Sequence, residues 1–270
     1  MTRVVFSVVL YRHCLDEVTP LLRSIKDLAS FCQDMHFHLS IYDADRPGDA
    51  RKFCDSIANI AKDLPFSYVN APNVGFARAN NANAHSLFYV PSELFIVANP
   101  DTSFLGRELA PLLYWILEHK KVSCAAPLVL NPGGTTQYSV KRNPTFLSLL
   151  LGRLPVLKAL AVFARYDSWH RNLGLCYERD VISSSYLSGC FLVIPSLFFR
   201  EVGGFSARYF LHLEDADIVR RLSGCGLTVH NPIGKVCHQW ARGSHKSIAQ
   251  TFHLLRSIVV YMFNWGMSLW

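Results

Sequence analysis

Apolar and polar positions alternate in blocks along the first 130 residues. Segment 4–11 (VVFSVVLY) is a short β-branched run, which predicts a buried strand. In 15–31, apolar residues recur at Leu15, Val18, Leu22, Ile25 and Leu28, close to the spacing of one helix face. A second strand is predicted over 37–42, stopping at Asp43, followed by a polar-faced helix over 50–61 and a short strand over 66–69. Segment 75–87, rich in Ala and Asn, reads as helix, and 94–98 (LFIVA) as a fourth strand ending in Asn99-Pro100-Asp101. A helix over 109–118 and a strand over 122–130 precede a Pro-Gly-Gly turn. This alternation implies an α/β fold with a mostly parallel sheet covered on both faces. In such sheets ligands gather at the carboxyl ends of strands, where Asp43 and Asp101 both stand.

After residue 140 the pattern changes. Segment 146–163 is apolar but interrupted by basic residues, and 186–194 (YLSGCFLVI) reads as a strand with a glycine in it. A turn of helix over 198–202 leads to Gly203-Gly204-Phe205, and a helix over 213–222 opens with Glu214-Asp215. A short strand over 236–239 carries His238, and 248–263 reads as a C-terminal amphipathic helix. With no repeat and no low-complexity linker, one domain over 1–270 with two functional halves, 1–140 and 141–270, fits better than two domains.

Half of the 270 residues are apolar and 17% are charged, which excludes a disordered tail, a collagen or a coiled coil. The longest apolar stretches, 147–164 and 257–270, are broken by Arg153, Pro155 and Lys158 in the first and by Asn264 and Gly266 in the second. Neither is a clean span of about 20 apolar residues, so no transmembrane segment is expected. The opening Met-Thr-Arg and its strand-like continuation do not read as a secretory signal. The eight cysteines form no C-x-x-C pair; they read as reduced thiols without zinc-ligand spacing.

Charge divides the chain. Residues 1–140 hold 12 Lys+Arg and 13 Asp+Glu, a balance of −1, whereas 141–270 hold 15 and 7, a balance of +8. A basic half implies either an anionic partner or a soluble basic face, and here the charges alternate with aromatics.

Four features carry candidate chemistry. An Asp placed as in Asn99-Pro100-Asp101 can point its carboxylate into the strand-end crevice and hold a hard cation on a diphosphate; the same tripeptide also serves as ordinary turn chemistry. In 73–81 (NVGFARANN), Gly75 permits a close turn, the helix start offers free N–H groups and Arg78 could pair with a phosphate, though the pattern is neither a Walker loop nor G-x-G-x-x-G. Glu214-Asp215-Ala216-Asp217 clusters three carboxylates at a helix start; the helix dipole explains part of this, and mutual repulsion in a semi-buried place would raise a base toward neutral pH. His238 and His245 are each weak candidates for a metal or phosphate contact.

Taken in order, the opening strand, the Asp after the second strand, N-x-G-F-A-x-A-N-N, N-P-D, S-G-x-F-L-V and G-G-F-x-x-x-Y-F-x-x-x-E-D-x-D-I-x-x-R-L form a series, with a histidine about 20 residues on. This series resembles the family-2 glycosyltransferases of GT-A fold, and most closely the bacterial rhamnosyltransferases that extend GlcNAc-diphospho-undecaprenol. The resemblance runs from about residue 4 to residue 263, and 137–144 (QYSVKRNP) shares it. It implies a GT-A-type nucleotide-diphospho-sugar transferase fold, with a donor-binding half over 1–140 and an acceptor-binding half with membrane-proximal helices over 141–270. It also implies that Asp43, Asn73, Gly75, Phe76, Arg78, Asn80 and Asn99 line the donor pocket. Asp101 and His238 would hold Mg²⁺ or Mn²⁺, Asp215 would be the catalytic base with Glu214 beside it, and Gly189, Asp217 and Arg242 would meet the acceptor. The chain departs from the family in having Tyr42-Asp43-Ala44-Asp45-Arg46 where V-D-N-x-S is common. Asn99 stands where the metal motif usually starts with Asp, so one firm carboxylate remains for a cation.

The expected reaction is an inverting transfer of a sugar, rhamnose from dTDP-rhamnose by resemblance, onto a polyprenyl-diphosphate-linked GlcNAc or nascent cell-surface polysaccharide. The expected place is the inner face of the cytoplasmic membrane, with 146–163 and 248–270 lying at the bilayer surface or packing on the core. A nucleic-acid-binding module would use the same basic face but leaves Asp101 and the 214–217 cluster without a task, so no nucleic-acid partner is expected.

Overall fold

Strand β1 (Thr2–Tyr11) lies between β2 (Met35–Ala44) and β4 (Leu94–Ala98), parallel to both, and β3 (Phe66–Ala71) extends β2 in parallel. The computed structural model describes residues 1–85, 92–239, 248–266 and 268–270. Side chains alternate across each strand, so Val4, Phe6 and Val8 enter one core while Val5 enters the other; Ile96 and Phe95 divide in the same way. A strand covered on both faces must be apolar at every position, which is why β1 and β4 read as continuous runs. Helices α1 (Leu15–Phe31) and α4 (Gly106–Glu118) cover the first face, through Leu21, Leu22 and Leu28 of one and Leu109 and Leu113 of the other. The second face is covered by α3 (Phe76–Ala84), α8 (Glu214–Leu222) and Tyr261 of α9 (Ile248–Trp265).

Beyond β4 the sheet changes sense. Strand β10 (Phe191–Pro195) runs antiparallel between β4 and β6 (Val122–Leu130), and β11 (Leu227–His238) then pairs with β6 in parallel. β5 (Thr102–Ser103) and β8 (Ile182–Ser183) add antiparallel pairs on β11. A separate ribbon joins β7 (Val140–Lys141) to β9 (Tyr186–Leu187). The mostly parallel central sheet flanked by helices is as expected, and all eight cysteines are free thiols.

Several elements differ from the sequence pattern for local reasons. The 186–194 strand is broken between Leu187 and Phe191: Ser188 N–H goes to Ser139 O, beside β7, and Gly189 N–H to Asp215, so neither serves the central sheet. The expected 236–239 strand is the end of the twelve-residue β11, hidden by the irregularity between His230 and Lys235. The 75–87 helix runs from Phe76 to Ala84, and 86–91 lie outside the described residues. Pro155 divides 146–163 into α5 (Phe146–Arg153), a 3₁₀ turn (Pro155–Ala159) and α6 (Ala161–His170), because proline removes a backbone donor. This α5–α6 hairpin exposes Leu154, Val156, Leu160 and Val162, and α9 exposes Phe252, Leu255, Val259 and Phe263. The two are neighbours: Phe146 and Leu147 N–H donate to the carbonyls of Ser268 and Leu269 at 3.1 and 3.0 Å.

Candidate active site

Asp43, at the end of β2, is fully buried. Its carboxylate accepts Arg46 Nε at 2.5 Å and Arg46 Nη2 at 3.0 Å, and also the Tyr68 hydroxyl. Burial, with help from that carboxylate, pushes the Tyr68 hydroxyl up. Arg46 Nη1 in turn donates to His13 O at 2.6 Å. Asp43 therefore acts as a pillar under the loop that follows β1. Burial pulls His13 down, while the charges of Glu17, Asp101 and Asp43 oppose it, which places this loop beside Asp101.

The 73–81 stretch packs more than it offers. Gly75 has φ +86°, and a Cβ there would lie 2.4 Å from Phe210 O, so only glycine fits. Its N–H is taken by Asn73 Oδ1 at 3.0 Å and the Phe76 N–H by Phe210 O at 2.8 Å, so the free donors expected at this helix start are in part occupied. Arg78 Nε donates to Ala207 O at 3.1 Å. Asn80 is buried, accepting Ser7 Oγ at 2.6 Å and donating to Phe76 O at 2.9 Å. These residues join α3 to the chain that leads into α8.

Asp101 and His238 meet. Asn99 N–H donates to Cys190 O at 2.9 Å, Gln239 N–H to Asp101 O at 3.0 Å, and His238 Nε2 lies 3.2 Å from Asp101 Oδ1. On its other side His238 Nδ1 faces Gln137 Oε1 at 3.0 Å, while Gln137 Nε2 donates to His238 O at 2.7 Å. Burial works against a charged imidazole, but hydrogen bonds to Asp101 and the Cys190 thiol outweigh it and push His238 up to about 10.

Asp215 stands on the adjoining wall. Its Oδ2 accepts the Gly189 N–H at 3.0 Å and its Oδ1 the Ala216 N–H at 2.8 Å, the acceptor-only pattern of a carboxylate. Gly189 has no room for a side chain, since a Cβ would sit 2.9 Å from Asp215 Cβ. His212 and Leu213 hold φ of +71° and +63°, a left-handed pair that non-glycine residues keep only where packing enforces it. Leu213 is buried in the second core, and this strained step delivers Glu214 and Asp215 to the crevice. Gly189 adjoins Cys190, whose carbonyl takes the Asn99 N–H and whose thiol meets His238, so Asp215 and the Asp101–His238 pair are held at neighbouring residues of one chain segment.

Of the three clustered acids, only Asp215 keeps a partly exposed carboxylate. Glu214 is buried, its Oε2 has no partner among the described residues, and burial followed by repulsion from Asp215 pushes it up to about 8. The folded protein thus holds a proton that the unfolded chain releases near pH 4.5. The associated stability is fully present below about pH 4.5 and is lost as pH rises through about 8. Glu214→Gln, which cannot ionise, is expected to gain Tm over the parent progressively across this window. Parallel Tm–pH curves for the two proteins would show that Glu214 does not carry the buried proton.

Asp217 is not brought to the crevice. It is 1% exposed and turned toward α9, accepting Trp265 Nε1 and Arg221 Nε, both at 2.9 Å. Arg242 lies outside the described residues. Sequence reasoning gave no role to Gln137, which orients His238, or to Lys141, whose ammonium lies 5.1 Å from the Tyr186 ring centroid beside Asp215. Both sit in the 137–144 stretch that the resemblance picked out.

The mostly parallel sheet with helices on both faces is a GT-A fold, as its structural neighbours show. A mannosyltransferase from Pyrobaculum calidifontis, in complex with GDP-Man and Mn²⁺, superposes with a TM-score of 0.63 at 13% identity, over 96% of this chain and 64% of that one. Staphylococcus aureus TarS superposes with a TM-score of 0.58 at 14% identity, over 100% of this chain and 41% of that one. GalNAc-T7 with UDP, GalNAc and Mn²⁺ gives 0.60 at 16% identity, over 88% and 43%. In sequence, the chain is similar to an N-acetylglucosaminyl-diphospho-decaprenol L-rhamnosyltransferase of Mycobacterium tuberculosis, 30% identical over 160 residues. That match covers 57% of this chain and 49% of the relative, so the chain spans about half the length of the curated relatives it matches. No family model matches the chain.

Proposed function

We propose that the protein is a glycosyltransferase that moves a sugar from a nucleotide-diphosphate donor onto a hydroxyl of a polyprenyl-diphosphate-linked GlcNAc, with inversion at the anomeric carbon. The observation that carries this reading is the junction of Gly189 and Cys190, where the Gly189 N–H goes to Asp215 and the Cys190 carbonyl takes the Asn99 N–H beside the Asp101–His238 pair. The named rhamnosyltransferase relative supports rhamnose as the sugar, with dTDP-rhamnose as donor.

Asp215 accepts the proton of the attacking hydroxyl, held in place by the Gly189 N–H and by the strained entry to α8. Glu214, protonated at neutral pH, adds no second charge to that wall. Asp101 would offer a divalent cation one oxygen, and His238, on giving up its Nε2 proton to the metal, one imidazole nitrogen whose opposite Nδ1–H is held by the Gln137 amide oxygen. Among the described residues no group of three or more His, Cys, Asp or Glu side chains could hold a metal, so Mg²⁺ or Mn²⁺ would share its remaining positions between donor phosphates and water. Bound there, the cation would neutralise charge growing on the departing diphosphate. Asp101→Ala is expected to weaken Mn²⁺-dependent donor binding at least ~10-fold in a calorimetric titration. Full turnover in the presence of a chelator would remove the metal from the reading.

The membrane-facing surface follows from the same halves. The exposed apolar residues of the α5–α6 hairpin and α9 lie among Arg153, Lys158, Arg165 and Arg256, the mixture that suits an anionic lipid surface such as the cytoplasmic leaflet. Among the described residues no helix is long and apolar enough to cross a membrane. Co-sedimentation with phosphatidylglycerol vesicles is expected, reduced by Phe252→Ser with Phe263→Ser; equal binding by the double variant would remove α9 from the contact.

The function is tested by a thermal-shift screen of nucleotide sugars followed by turnover on a GlcNAc-diphospholipid. The expected result is a donor-dependent stabilisation and a product one hexose heavier. No stabilisation by any nucleotide sugar would overturn the reading.

A further inference from the structure

We propose that Lys141, backed by Arg171, binds the diphosphate of the lipid-linked acceptor, a site that rests on the transferase reading and deepens it. Lys141 lies on β7 opposite Tyr186 of β9, its ammonium 5.1 Å from the Tyr186 ring centroid. It forms no ion pair among the described residues, and burial pulls its pKa down. A half-buried ammonium without a carboxylate is held at a cost that an anionic ligand relieves. Near it stands Arg171, 5.6 Å from the Tyr138 ring centroid. The nearby carboxylate Asp167 is already shared between Lys158 at 2.8 Å and Arg171 at 3.5 Å.

Position decides which diphosphate. Lys141 sits on the β7–β9 ribbon, and β9 runs on within two residues to Gly189, whose N–H goes to Asp215, whereas the Asp101–His238 pair adjoins the next residue, Cys190. The ammonium is therefore placed on the Asp215 side. An acceptor hexose carries its attacking hydroxyl and its anomeric phosphate on one ring, so a base and an ammonium facing the same space can hold both. The Asp167–Lys158 pair then links this place to the α5–α6 hairpin and its exposed Leu154, Val156, Leu160 and Val162, the direction a polyprenyl chain would leave.

The test is calorimetric binding of farnesyl diphosphate, farnesol, pyrophosphate and dTDP to the full chain and to Lys141→Met, with Lys141→Gln as a second removal and Lys141→Arg as rescue. Farnesyl diphosphate is expected to bind the parent, with affinity falling about tenfold or more in Lys141→Met and Lys141→Gln and restored in Lys141→Arg, while dTDP affinity and Tm stay unchanged. Unchanged farnesyl diphosphate affinity in both removals would overturn the site, as would pyrophosphate binding as tightly as farnesyl diphosphate. A parallel loss of dTDP affinity would move Lys141 to the donor and overturn the assignment as well. The two levels separate: Lys141-dependent farnesyl diphosphate binding without any sugar transfer leaves the site standing and removes the transferase reading. Transfer by Lys141→Met with an unchanged acceptor KM does the reverse.

Discussion

Asp215→Asn is expected to lower kcat for sugar transfer by about 10²–10⁴-fold while leaving donor affinity within experimental error. The amide has nearly the shape of the carboxylate and keeps an oxygen for the Gly189 N–H, so what is lost is the ability to take a proton. The proposed donor contacts, on the Asp101 side of Gly189 and Cys190, should not notice the change. Turnover and nucleotide-sugar binding measured on the same preparation decide the matter. Unchanged turnover would remove Asp215 from the mechanism, and a matching loss of donor affinity would place it on the wrong wall.

Asp217→Ala is expected to act on the fold. Asp217 is the acceptor for Trp265 Nε1 and for Arg221, whose Nη1 also reaches the carbonyls of Val202 and Gly204 at 2.7 Å. Removing one partner of a buried ion pair leaves the other uncompensated and costs about 3–5 kcal/mol. For a chain of this size that corresponds to a Tm lower by roughly 10 °C. Asp217→Asn, which retains an acceptor oxygen for Trp265, should lose less. A Tm shift below about 2 °C for the alanine variant would show that this carboxylate does not tie α8 to α9.

The two acids lie two residues apart on one helix, and the difference between them marks how far sequence reasoning reaches. Helical spacing puts Asp215 and Asp217 well apart around α8, but only the positions of Gly189 and Trp265 reveal which faces the crevice. The strands β1, β4 and β6 were legible because both faces are buried and the apolar run has no gaps to misread. The 186–194 strand was not, because its break is caused by a partner 26 residues away, the Asp215 carboxylate that takes the Gly189 N–H. The meeting of Asp101 with His238 depends on β5 pairing with β11, a contact between segments more than 130 residues apart that leaves no local signature. Gly75 was legible as a special position but not as to cause: its positive φ and its approach to Phe210 concern packing. Lys141 had no role in the sequence pattern; the ribbon of β7 and β9 sets it near Asp215.

The reversed strand β10 also governs how this chain can be dissected. Although it belongs to the later half of the sequence, it fills the slot between β4 and β6, both from the earlier half. A fragment ending near residue 140 would therefore lose the middle plank of its own sheet and present two naked ladder edges, a template for fibrous self-association. The two halves of the sequence are thus woven into one inseparable fabric.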